Sequence, residues 1–167
     1  MALSNQKHKE QLVCLIRGIP VRNTPEERVR QSVLHYLIGP FGCPSSLIAV
    51  EVALSSILPS SPRPLPRRRL DIVCFFHHKG TLLPLLIVEC KASLPQRIAH
   101  WQVQGYNFFT NAPLTAIAWP GTISFSHHTH LATYEFADGR HTPPIDSRQL
   151  SYTQAQKIVL HAANFFC

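Results

Sequence analysis

Three charged residues interrupt two otherwise apolar, strand-like runs. Asp71 lies in Arg-Arg-Arg-Leu-Asp-Ile-Val-Cys-Phe (67–75), and Glu89 and Lys91 lie in Leu-Leu-Ile-Val-Glu-Cys-Lys-Ala (85–92). A charge buried in an apolar strand is costly unless it is paired or holds a metal. The fold must therefore give all three one shared environment. A hairpin does so. With the turn in His77-His78-Lys79-Gly80, Asp71 stands nine residues before Gly80 and Glu89 nine after, which makes them near cross-strand neighbours. Side chains alternate along a strand, so Glu89 and Lys91 share a face and Cys90 points away. Two carboxylates and an ammonium then converge at one end of a sheet. Adjacent carboxylates form a hard-oxygen site suited to Mg²⁺ or Mn²⁺. A neighbouring lysine can orient a metal-bound water or stabilise charge that builds in a transition state.

The flanking segments read as further helices and strands. Thr24-Pro25-Glu26-Glu27 offers an N-cap threonine, a proline at the first helical position and an acid at the third. Val29, Val33, Leu34 and Leu37 follow at helical spacing, and Gly39-Pro40-Phe41-Gly42 ends the helix. Residues 47–54 read as a buried strand, and the Pro- and Arg-rich stretch 59–69 as an extended loop. Residues 70–76 and 82–92 are the hairpin strands, and 97–110 is a helix. Residues 115–119, 122–126 and 131–136 are strands, 138–149 a loop, and 151–166 a terminal amphipathic helix. Residues 1–23 read as a mixed, partly basic lead-in. At 167 residues the chain is expected to form a single domain, 1–167.

Several classes are excluded. The most apolar run, 82–88, contains Pro84 and falls far short of the ~20 residues that cross a bilayer. The lead-in does not have the layout of a signal peptide. Five cysteines without a CxxC pair imply a reduced, cytoplasmic protein with no disulfide framework. No GxxxxGK[ST] nucleotide loop occurs.

The order of these phrases resembles a known superfamily. Asp71, then Glu89-x-Lys91, preceded by a helix bearing Glu26, look like the PD-(D/E)XK nuclease core. The closer resemblance is to the N-terminal nuclease domain of type I restriction enzyme R subunits. It is carried by Thr24-Pro25-Glu26-Glu27-Arg28-Val29-Arg30-Gln31, Leu70-Asp71-Ile72-Val73, Ile87-Val88-Glu89-Cys90-Lys91-Ala92 and Gln102-Val103-Gln104-Gly105-Tyr106-Asn107. The motif-bearing core spans about 24–126. The resemblance implies an α/β fold with a restriction-endonuclease-like core, a central mixed β-sheet flanked by helices, and Mg²⁺-dependent cleavage of DNA phosphodiesters. Asp71 and Glu89 would hold the metal, with the Cys90 backbone carbonyl as a further ligand. Lys91 would position the attacking water. Gln102 and Tyr106 match the family's QxxxY element, and their i, i+4 spacing puts both on one helix face. The R subunits continue into a helicase motor, so only the nuclease-like domain is expected here, with a helicase or specificity protein as a further partner.

At about 100° per residue, Glu26 lies in line with Val29, Val33 and Leu37, on the face that packs on the sheet, whereas Glu27 sits roughly a quarter turn away and holds the capping position relative to Thr24. Glu26 is therefore expected to be the active-site carboxylate. Arg67, Arg68 and Arg69 read either as phosphate contacts beside the site or as a solvated basic loop. The formal charge of +7 agrees with a polyanionic partner: from residue 52 to 134 the chain has seven Lys or Arg and only two acids, Asp71 and Glu89. The alternative to a deoxyribonuclease is a catalytically silent module with the same fold that binds DNA or protein.

Overall fold

The computed structural model describes residues 11–58, 61–62, 64–95, 97–127, 130–135 and 151–163. The chain opens with a small antiparallel hairpin, β1 (Gln11–Val13) and β2 (Pro20–Arg22), where the sequence predicted only a lead-in. Helix α1 (Pro25–Ile38) follows, then β3 (Ile48–Ala53), a single turn α2 (Leu54–Ile57), β4 (Arg69–His78) and β5 (Thr81–Cys90). Helix α3 (Arg97–Thr110) leads to β6 (Leu114–Trp119), β7 (Thr122–His127) and β8 (His130–Glu135), and α4 (Tyr152–Ala163) comes last. The strand expected at 131–136 is β8. The loop expected at 138–149 lies outside the described residues.

The strands form one mixed six-stranded sheet in the order β3-β4-β5-β6-β7-β8. Its one parallel pair, β5 with β6, is joined across a face by α3, the connection that a parallel pair requires. Helix α1 starts as its sequence predicts: the Thr24 hydroxyl oxygen accepts the Glu27 N–H at 3.0 Å, and Pro25 occupies the first turn. Its apolar face buries Val33, Leu34 and Leu37 completely against Ile72, Leu86, Val88, Ala116 and Ala118. Full burial of each such side chain is worth about 1.5–3 kcal/mol. The opposite face of the sheet is covered by α3, through Ala99 and Val103 on Ile117 and through Tyr106 near Val73 and Ile87.

The β4–β5 hairpin has a two-residue turn, Lys79-Gly80, with φ of 48° and 78°. Positive φ at both positions suits the twist of a tight hairpin, so His77 and His78 extend β4 and are not part of the turn. Near the turn His78 faces Thr81 and Phe75 faces Pro84, but beyond Cys74 the register moves by one, with Cys74 facing Leu86 and Ile72 facing Val88. The extra residue is Leu85, which packs into the same core as Leu86. The bulge falls beside Pro84, which has no N–H for the ladder. It decides the site. The turn-side register would set Asp71 against Val88, on the wrong face; the shifted register sets it against Glu89.

Among the described residues no helix is long and apolar enough to cross a membrane. Cys14, Cys43, Cys74 and Cys90 are free and buried.

Candidate active site

At the ends of β4 and β5 the three interrupting charges meet. Asp71 Oδ2 accepts the Cys90 N–H at 2.8 Å. Lys91 Nζ donates to Glu89 Oε1 at 2.8 Å and to Gln102 Oε1 at 3.1 Å. Gln102 Nε2 in turn donates to the Tyr106 hydroxyl at 3.3 Å. Helix α3 therefore brings the two expected residues one turn apart and spends both on orienting the lysine. Lys91 N–H donates to the Ala118 carbonyl at 2.8 Å, which fixes its backbone at the end of the parallel pair. The Cys90 side chain is buried in the α1 core, as alternation requires, and burial pushes its thiol pKa well up.

The electrostatics follow from burial. Glu89 is 5 % exposed, and desolvation raises its carboxyl pKa; the charge of Asp71 adds to the rise, and Lys91 opposes it. Burial works against the Lys91 ammonium too, but the bond to Glu89 outweighs it and its pKa is raised.

Behind Asp71 lies a second set of charges that the motif did not include. Arg30 donates through NH2 to Asp71 Oδ1 at 2.8 Å, and through NH1 to Glu51 Oε1 at 3.3 Å and to Glu27 Oε2. Burial disfavours its charge, yet the attraction of Asp71 and Glu27 prevails and raises its pKa. Arg17, from the loop between β1 and β2, pairs with Glu51 Oε2 at 2.8 Å. Glu51 holds φ at 49° inside β3, a left-handed conformation that a non-glycine residue adopts only when its surroundings impose it.

The helix carboxylates are placed differently from expectation. Glu26 is exposed, and Glu27 is buried at 5 % exposure, bound to Arg30 and, at 2.6 Å, to Gln31 Nε2. In the first turn of α1 the buried carboxylate is the one bound to Arg30, not the one in line with Val29, Val33 and Leu37. Glu26 instead lines an open cleft together with Lys91, Ala92, Ser93, Leu94, Pro95, Ile98 and Ala99. Asp71 and Glu89 do not line that cleft; Lys91 connects it to them. Arg67, Arg68 and Arg69 are exposed on the approach to β4, and Arg69 reaches the Glu51 carbonyl at 3.4 Å.

Among the described residues, Glu27, Glu51, Asp71 and Glu89 thus meet three cations, Arg17, Arg30 and Lys91. The cluster is short of positive charge before Glu26 is counted. Among the described residues no three His, Cys, Asp or Glu side chains gather as a self-sufficient metal site. Mg²⁺ does not need one, since it commonly takes one or two carboxylates and completes its shell with water. Asp71 accepts one bond on each oxygen and so retains lone pairs. The donor set of Asp71, Glu89 and a main-chain carbonyl fits a hard divalent ion.

A helix, a three-stranded meander, a crossover helix and a parallel strand, with Asp and Glu-x-Lys at the strand ends, make up a nuclease-like domain with a restriction-endonuclease-like core. The sequence model of the type I restriction enzyme R protein N terminus matches residues 25–129, and the chain belongs to that family. No curated protein and no solved structure matches it.

Proposed function

We propose that this domain hydrolyses DNA phosphodiester bonds with a bound Mg²⁺ or Mn²⁺. The observation that carries the reading is the Lys91 ammonium, held between Glu89 and Gln102 next to Asp71 and facing the cleft. Asp71, Glu89 and the Cys90 carbonyl would hold the ion, which would supply Lewis acidity to the scissile phosphate and make water a stronger nucleophile. Lys91 hydrogen-bonds the attacking water and stabilises the charge that develops on the phosphate oxygens. Gln102 and Tyr106 keep its ammonium aimed. Glu26, across the cleft, accepts a proton or a hydrogen bond from that water. Arg67, Arg68 and Arg69 contact the phosphate backbone. The reading includes a cytoplasmic setting, which the free buried cysteines support, and a helicase or specificity partner that supplies strand separation or addressing.

One feature favours a second reading, a DNA- or protein-binding module without catalysis: both Asp71 oxygens are already bound within the chain. The deciding experiment incubates wild type and Lys91→Ala with single-stranded, duplex and branched DNA, with Mg²⁺ or Mn²⁺ and with EDTA. The nuclease reading expects metal-dependent cleavage that Lys91→Ala lowers by about 100-fold or more, the scale of a lost transition-state donor. DNA binding without cleavage in any metal would establish the module instead.

A further inference from the structure

The outer face of α3 borders the cleft and is not explained by the fold. Trp101 is 74 % exposed, Ile98 68 % and Leu94 73 %. Large apolar groups grouped in this way on a surface mark a binding site. Leu94 and Ile98 belong to the cleft wall with Lys91 and Glu26, so the apolar surface begins inside the candidate active site. Trp101 is one turn further along and directly precedes Gln102, which holds Lys91.

We propose that Trp101 is a stacking platform for an unpaired nucleobase of the DNA strand that enters the cleft. The proposal rests on the DNA reading above and adds to it the strandedness of the substrate. Gly105 supports it. Side chains on a helix lean toward its N-terminus, so a residue at position 105 would lie over the Trp101 side. A Cβ at Gly105 would meet nothing within 4 Å, so packing does not demand glycine there. Glycine also weakens a helix interior relative to alanine. Its effect is to leave one side of the indole uncovered, room for a flat ring.

Charge selects the occupant. No Asp or Glu occurs from residue 90 to 134, and by helical spacing the exposed Arg97 and His100 lie on one side of Trp101, with Ile98 on the other. Leu65, in the segment leading to Arg67 and Arg68, packs against the buried cluster that contains Tyr106 of the same helix, so this segment lies on the α3 side of the sheet. An apolar planar surface on a helix that carries Arg97 and no acid, with the Arg67 and Arg68 loop on the same side of the sheet, matches a nucleic acid strand, whose bases are flat and whose backbone is anionic. Duplex bases are already stacked on one another, so only an unpaired base, in a single strand or at a fork, offers its face to the indole.

The test uses the two-tryptophan chain itself. Trp119→Phe leaves Trp101 as the single tryptophan. Titration with oligothymidine in EDTA should quench its fluorescence. Trp101→Ala should weaken oligothymidine binding by roughly 5–150-fold, the range seen when a stacking aromatic is truncated, and leave blunt duplex binding nearly unchanged. Gly105→Leu, whose Cβ meets nothing within 4 Å, should cover that side of the indole and reproduce the loss, with circular dichroism as the check that both variants fold. Equal oligothymidine affinity for wild type and Trp101→Ala overturns the platform, and retained cleavage would then leave the nuclease reading standing. Quenching and a Trp101→Ala loss without cleavage in any metal would sink the nuclease reading and keep the platform. A dimer in sedimentation that Trp101→Ala dissolves, with no quenching by DNA, overturns it in favour of a protein contact.

Discussion

Arg30 offers the sharpest test of how the site is held together. Its side chain is 9 % exposed and touches Glu27 at 7 %, Asp71 at 19 % and Glu51 at 35 %. Arg30→Met keeps most of the volume and removes the charge. Glu51 keeps Arg17 and water, and Asp71 keeps the Cys90 N–H, but Glu27 is left buried with only Gln31. Removing one partner of a buried pair costs about 3–5 kcal/mol, because the remaining charge is uncompensated. Against a total stability of about 5–15 kcal/mol this is a large share. At roughly 2–4 °C per kcal/mol for a domain of this size, Tm should fall by about 6–20 °C. Urea unfolding should show a lower midpoint with an unchanged m-value. Adding Glu27→Gln should restore part of the loss, because the stranded charge is then gone. An Arg30→Met protein within about 1 kcal/mol of wild type would refute the claim that this guanidinium offsets a buried carboxylate.

Two further outcomes follow from the same geometry. Glu26→Ala should leave Tm unchanged, since its side chain is exposed, and should abolish cleavage; Glu27→Ala should unfold at lower urea, and the reverse pattern would exchange their roles. Burial and the Asp71 charge raise the Glu89 pKa, so Glu89 contributes stability below its unfolded value of about 4.3 and loses it as pH rises through the folded value. Glu89→Gln should therefore raise Tm at pH 7 in EDTA, with the gain fading toward pH 4 in a thermal-melt series; a lower Tm at pH 7 would contradict the sign.

The fold was legible where residues carry period or punctuation. The cap at Thr24, the proline at 25 and the breaks around 95 and 111–113 set the ends of α1 and α3, and α3 spans 97–110 as its sequence predicts. The count that paired Asp71 with Glu89 gave the right register because two departures cancel: the turn centres half a residue earlier than Gly80, and Leu85 adds one residue to β5. The β1–β2 hairpin was not legible, since three-residue strands are too short to show alternation. The site was legible in its strand residues and in the QxxxY pair, because each carries a charge or a spacing that its element does not need. Glu51 meets the same criterion as Asp71, an acid within the apolar run 47–54, and that signal could have found it. Arg30 had none: on a helix of alternating polar and apolar residues, nothing local separates a buried arginine from a solvated one.

The inversion at Glu26 and Glu27 shows what helical arithmetic leaves out. Counting turns gives directions relative to a helix axis, and those directions mean burial only while the axis runs over the sheet. In the first turn of α1 the groups that hold Glu27 are the side chains of Arg30 and Gln31. There Arg30 draws Glu27 inward, and Glu26 is left to the cleft. The charges therefore divide into two groups. Arg17, Glu27, Arg30 and Glu51 neutralise one another behind Asp71, while Glu26, Glu89 and Lys91 lie toward the cleft with acid in excess. Asp71 belongs to both, with Arg30 on one oxygen and the Cys90 N–H on the other. A bound cation would correct the excess on the cleft side alone. It should therefore stabilise the fold most when Lys91 is absent and least when Glu89 is neutral, an ordering that a purely structural ion-pair cluster would not produce.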